Sequence, residues 1–169
     1  MQVNHKPIDI DYNKTAILDV LLSNNPKVDR PRSNLRTCSK EEISIISDML
    51  GTEFPITNIL YFQLDKQFVG SIHKDLYYGR YVTRALILPL TECKDVYMKW
   101  FTQNNNTRVE QSFRGPNGSL LIPHLSHDNA TCIDNVNCST PSMVKVDDWH
   151  SIENNSTEEF SHIISLRFE

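Results

Sequence analysis

His73 and Asp75 are separated by one residue, at the end of the strand-like run Phe68-Val69-Gly70-Ser71-Ile72-His73. On an extended chain, side chains two residues apart leave the same face. An imidazole and a carboxylate so placed can take two adjacent coordination positions of one metal ion. A second imidazole, from the end of another strand, would complete a 2-His-1-carboxylate face and leave the other positions of the ion open. His150, which closes the run from Met143 to Trp149, is placed to supply it. Both imidazoles must be neutral to coordinate, so uptake of the ion depends on pH. The expectation is definite: His73, Asp75 and His150 converge within ligand distance of one point. The competing reading makes His73 and Asp75 a solvated surface pair and His150 a hydrogen-bonded rim residue.

Other groupings are weaker. His124, His127, Cys132 and Cys138 lie close in sequence, but their spacing departs from that of structural zinc sites, and a polar loop with scattered ligand-type residues accounts for them. Asp148 shares strand parity with His150, which makes it an orienting partner for that imidazole or a solvated turn carboxylate. Trp100 and Trp149 suit a core or a rim better than a stacked substrate. Tyr77 and Tyr78 follow the His-x-Asp pair and either line a pocket or stand exposed. The chain carries no phosphate-binding glycine loop and no Gly-x-Ser-x-Gly element.

The elements that must position these residues read as follows. Residues 1–12, with Ile8 and Ile10 alternating, are compatible with a short edge strand. Apolar residues recur at helical spacing from Lys14 to Leu22 behind Asn13 as N-cap. Residues 23–37, with Pro26 and Pro31, read as a loop. Ser39 and Glu42 form a capping box for a second helix, which carries an Ile43, Ile46, Met49, Leu50 stripe and ends at Gly51. Strands follow at Ile59–Leu64, Phe68–His73, Tyr81–Leu90, Asp95–Phe101, Met143–Val146 and Phe160–Phe168. The stretch 102–140, rich in Asn, Ser, Gly and Pro, is too long for a bare connection and reads as an inserted loop or hairpin. The fold class is mainly β: one domain over 1–169, with residues 1–57 as a helical decoration and 58–168 as a jelly-roll core.

Composition narrows the partners. Hydrophobic residues at 39% and charged residues at 22% describe an ordinary globular chain. A net charge of −4 gives no electrostatic reason to expect nucleic acid or an acidic membrane as a partner. There is no apolar run of membrane-spanning length and no secretory signal, so a cytoplasmic location with reduced cysteines at 38, 93, 132 and 138 is the expectation. Seven Asn-x-Ser/Thr triplets follow from the asparagine-rich composition. The partner expected is a small molecule or a peptide.

Three stretches carry a family resemblance. Ile72-His73-Lys74-Asp75, Arg84-Ala85-Leu86-Ile87-Leu88-Pro89-Leu90 and Val96-Tyr97-Met98-Lys99-Trp100-Phe101 resemble the first half of a small 2-oxoglutarate/Fe(II)-dependent oxygenase of the aspartyl/asparaginyl β-hydroxylase-like kind. The run from Val144 through His150 to Asn154 and the closing Ile163-Ile164-Ser165-Leu166-Arg167-Phe168 resemble the second half. The resemblance implies a double-stranded β-helix and Fe(II) held by His73, Asp75 and His150. It also implies 2-oxoglutarate as co-substrate and hydroxylation of an amino-acid or peptide side chain. One departure stands out. The Arg or Lys that the family places about ten residues after the second His is missing, and the region reads Glu159-Phe160-Ser161-His162. Tyr81, Thr83, Ser161, His162 and Arg167 are then the candidate co-substrate contacts, with Arg80 and Arg84 able to reach in. Arg167 has the parity of Ser161 but lies about 20 Å further down the strand. The alternatives are a non-catalytic jelly-roll binding or structural module and a cupin-like metalloprotein that does not use 2-oxoglutarate.

Overall fold

The structure is a computed structural model of the 169-residue chain. It describes residues 4–24, 34–51, 55–77, 80–104, 109–114, 120–157 and 160–168, with residues 34, 76, 77, 80, 81, 110–114 and 120–122 as backbone alone. In chain order these form β1 (His5–Pro7), α1 (Lys14–Ser23), β2 (Asn34–Thr37), α2 (Lys40–Leu50) and β3 (Ile56–Leu64). Five strands follow: β4 (Phe68–Val69), β5 (Ile72–His73), β6 (Leu76–Tyr77), β7 (Arg80–Tyr81) and β8 (Arg84–Pro89). Then come β9 (Val96–Gln103), β10 (Glu110–Arg114), β11 (Leu120–Leu125) and a 3-10 turn (His127–Asn129). The chain closes with β12 (Ala130–Asn137), β13 (Ser142–Lys145), β14 (His150–Asn154) and β15 (Ser161–Phe168).

Two antiparallel sheets face each other. One has the order β1-β13-β8-β15-β3-β2; the other has the order β10-β11-β5-β14-β9-β12, with β4 also paired to β14. Along the chain β3, β5, β8 and β9 fall alternately in the first and second sheets, β12 pairs back on β9, and β13, β14 and β15 alternate again. That alternation is the strand order of a jelly roll. It follows from residue parity. On β8, Ala85 and Ile87 meet Leu64, Val96, Met98, Trp100 and Ile163 between the sheets. Leu86 and Leu88 leave the other face, onto Ile17, Leu21 and Ile46 of the two helices.

Local chemistry shapes the helices as expected. Asn13 accepts from the Ala16 amide, Ser39 and Glu42 form both bonds of the capping box, and Gly51 takes the left-handed conformation at φ 56°. Ile17, Leu21 and Ile46 are fully buried, each burial stabilising the fold by about 2 kcal/mol.

Five expectations about elements need correction. His150 does not close the strand from Met143; it opens β14, in the other sheet from β13. Residues 34–37 are an edge strand on β3, not loop. Phe68–His73 is two short strands interrupted at Gly70, where a Cβ would lie 2.6 Å from the Ile152 carbonyl oxygen. The strand expected from Tyr81 begins only at Arg84. The stretch 102–140 is not a loop: of the two readings the hairpin holds, in β10 and β11, and with β12 these strands join the second sheet. Its composition misled because β12 is an edge strand with most of its residues exposed or half-buried, and such a strand needs few apolar residues.

Candidate metal centre

His73, Asp75 and His150 come together at one end of the space between the sheets. Each offers one ligand atom, and these atoms lie within 4.8 Å of one another. β14 runs beside β5 with His150 directly opposite His73, so both imidazoles leave the same face of the second sheet. Their ring centroids are 4.6 Å apart. Asp75 lies beyond the end of β5, so strand alternation alone does not aim it. Its amide donates to the Val146 carbonyl at 2.9 Å and its carbonyl accepts from the Val82 amide at 3.1 Å. The chain therefore leaves the second sheet at His73 and is stitched to the first at Asp75.

The hydrogen bonds fix the tautomers. His73 Nδ1 donates to the Ser71 carbonyl and His150 Nδ1 to the Asp148 carbonyl, both at 2.8 Å. A neutral imidazole that donates from Nδ1 has a bare lone pair on Nε2. Those two nitrogens face Asp75 Oδ1 at 3.3 Å and 3.7 Å. Three acceptors thus converge on one point with no donor of their own. A metal ion or a second proton on an imidazole would satisfy them, as would a donor from outside the three residues. Cis ligands about 2.1 Å from a metal sit about 3 Å apart, so a small inward movement would suffice.

Electrostatics favours the neutral form of His150. Burial, and next the neighbouring His73, lower its pKa to about 4, against the opposite pull of Asp75. For Asp75, burial raises the pKa most strongly, yet the Arg167 charge and the two imidazoles together hold the carboxyl well below its usual range. His150 is 4% exposed, while the Asp75 and His73 side chains are 15% and 19% exposed, so the site opens on one side.

The co-substrate candidates separate. Arg167 is at the centre, its Nη2 paired with Asp75 Oδ2. The strand β15 starts at the opposite end of the molecule, where Ser161 is buried and His162 binds Tyr61 through Nδ1 at 2.7 Å on the helix-covered face. Neither reaches the three ligand candidates. The direction of β15 explains this: β14 leaves the mouth at His150, so the antiparallel return strand arrives there only at its end. Thr83 lies at the mouth, where its carbonyl accepts from the Val146 amide at 3.1 Å. The Tyr81, Tyr77 and Arg80 side chains and all of Tyr78 fall outside the described residues. Arg84 is exposed on the helix side of β8.

Other residues take structural places. Asp148 orients His150 through its backbone, while its carboxylate pairs with Lys145 at 2.6 Å. Trp100, opposite His150 on β9, is buried and donates from its indole to the Lys145 carbonyl at 2.8 Å. A cleft of about 340 Å³ beside it is lined by Trp149, Asp148 and Gln103 among others. His124 lies opposite His73 on β11, with ring centroids 6.0 Å apart. This alignment depends on a strand that composition disguised. His127 Nε2 bonds the Gly70 carbonyl, Cys132 is exposed and Cys138 buried. Among the described residues the only ligand cluster is His73, Asp75 and His150. All four cysteines are free, and no described helix is long and apolar enough to cross a membrane.

No protein-family model matches the chain, nor does any curated protein. Solved structures that resemble it include HygX from Streptomyces hygroscopicus with nickel and 2-oxoglutarate bound, at TM-score 0.47 and 8% identity, covering 96% of this chain and 81% of that one. Vicilin from hazelnut, Corylus avellana, aligns at TM-score 0.44 and 7% identity, with 88% of this chain and 32% of that one covered. An RmlC-like cupin from Desulfovibrio desulfuricans aligns at TM-score 0.37 and 9% identity, over 85% and 92%. The chain thus spans about a third of the vicilin's length.

Proposed function

We propose that the chain is a non-haem iron oxygenase in which His73, Asp75 and His150 hold Fe(II) and a 2-oxo acid serves as co-substrate. The observation that carries this reading is the meeting of two Nε2 lone pairs and one carboxylate oxygen with no donor among them. Bound Fe(II) would supply oxidation chemistry, coupling decarboxylation of 2-oxoglutarate by dioxygen to hydroxylation of a substrate C–H bond. The chain's own part is to hold and orient. The Ser71 and Asp148 carbonyls keep both Nε2 atoms deprotonated and aimed at the centre, and Asp75 adds the one charged ligand. Trp100 walls the inner side against water. The substrate of this reading is a small molecule or a peptide; the cleft along Trp149 and Gln103 adjoins His150 through Asp148 and Trp149 but includes none of the three ligand candidates.

A cupin-like metalloprotein that does not use 2-oxoglutarate is the second reading. It is favoured by one observation: Ser161 and His162, expected to meet the co-substrate's far carboxylate, stand at the other end of β15. Anaerobic Fe(II) titration, with and without 2-oxoglutarate, separates the two. The first reading expects tight Fe(II) uptake and a weak visible absorption band that grows only with 2-oxoglutarate. Metal uptake without the band would leave the second. His73→Ala is expected to weaken uptake by about a hundredfold or more. Equal uptake by that variant and the wild type would sink both and leave a non-catalytic module.

A further inference from the structure

Arg167 sits at the centre without being one of its ligands. It is 8% exposed, and its guanidinium is fixed at two points. Nη1 donates to Ser165 Oγ, two residues back on the same interior face, and Nη2 donates to Asp75 Oδ2. Asp75 therefore divides its oxygens, with Oδ2 given to the guanidinium and Oδ1 facing both imidazoles. A free carboxylate can chelate a metal through both oxygens, but one whose second oxygen is bonded to a buried arginine offers only the first. The charges also cancel. With neutral imidazoles, Asp75 and Arg167 together contribute none, and a divalent ion keeps both of its own.

We propose that Arg167 is a positioning residue that confines Asp75 to one-oxygen coordination and cancels its charge, leaving an open, doubly positive face suited to an anionic oxygen chelator. This rests on the metal-centre reading above and deepens it. The chelator is recognised by the metal's own charge, without Arg167 serving as a clamp for a far carboxylate. A clamp would have to release Asp75; a positioning residue stays where it is.

Mn(II) serves as the probe, with oxalate and 2-oxoglutarate as two chelators. Oxalate has the chelating end and lacks the far carboxylate. In Arg167→Met, Mn(II) affinity is expected to rise about tenfold or more, because a repelling charge close to the ion is gone. Water-proton relaxation should show one of the roughly three bound waters lost to the second Asp75 oxygen. Both chelators should bind the Mn(II)-loaded variant about tenfold more weakly. Loss of 2-oxoglutarate binding alone, with oxalate and Mn(II) as in the wild type, would make Arg167 a clamp and overturn the proposal. Unchanged values throughout would overturn it too. Arg167→Met leaves a buried carboxylate unpaired and could fail to fold. Arg167→Gln keeps a donor for Asp75, and the same rise for Mn(II) and fall for both chelators is expected there. A wild type that binds no Mn(II) would instead end the metal-centre reading itself.

Discussion

At the scale of single residues, the protonation of His150 is the quantity with the clearest consequence. Burial lowers its pKa to about 4, whereas in the unfolded chain the ring titrates near 6.5. Between those values the unfolded chain binds a proton that the folded one refuses. Stability of the metal-free protein therefore falls as pH drops through that window, by something of the order of 3 kcal/mol. His162, also lowered by burial, adds in the same sense. Asp75 behaves differently. Its folded carboxyl stays ionised to lower pH than the unfolded one, so its contribution persists above about pH 4 and is lost only in stronger acid. Urea unfolding at pH 7, 5.5 and 4.5 should give steadily lower midpoints, and His150→Gln should flatten that slope. An equal slope in the variant would place the proton-linked loss elsewhere.

At the scale of elements, the centre depends on how closely β4 and β5 cross β14. The Gly70 amide donates to the Ile152 carbonyl at 3.0 Å, and any Cβ on Gly70 would press on that same oxygen. Gly70→Ala is expected to cost about 2 kcal/mol or more and to weaken metal uptake, since His73 lies three residues on. Ser39→Ala should cost about 1 kcal/mol, through the lost cap on α2, and leave uptake untouched. Thermal unfolding and Mn(II) titration of the two variants make the comparison. The capping residues and the helix stripe were legible because each has a local signature: a hydrogen-bonding side chain at a fixed offset, or an apolar period. The strand that His150 opens, His150–Asn154, was not, since it has no apolar period. Nor was β12, because all of its residues are exposed or half-buried and carry no apolar alternation. The pairing of Arg167 with Asp75 escaped for another reason. Its parity is legible, but Ser161 lies far from the centre, and only the direction of β15 shows that the mouth is at the strand's other end.

At the scale of the whole molecule, the candidate ligands do not belong to one sheet. His73 and His150 stand on the second, Asp75 is stitched to segments that continue β13 and β8 of the first, and Arg167 rises from β15 of the first. The jelly roll closes its far end with the chain connections around Thr91 and Cys93, where the His162 amide donates to Thr91 Oγ1 at 3.0 Å. Near the centre the described residues tie the layers through the Asp75 stitch, the Arg167–Asp75 pair and the Trp100 indole bond to the Lys145 carbonyl. An ion held there would act as a further clasp between the two layers. Its effect should then appear in backbone amides that touch no ligand atom, with hydrogen exchange at Val82 and Val146 slowing when Mn(II) is added. Protection confined to β5 and β14 would mean that the two layers already move as one.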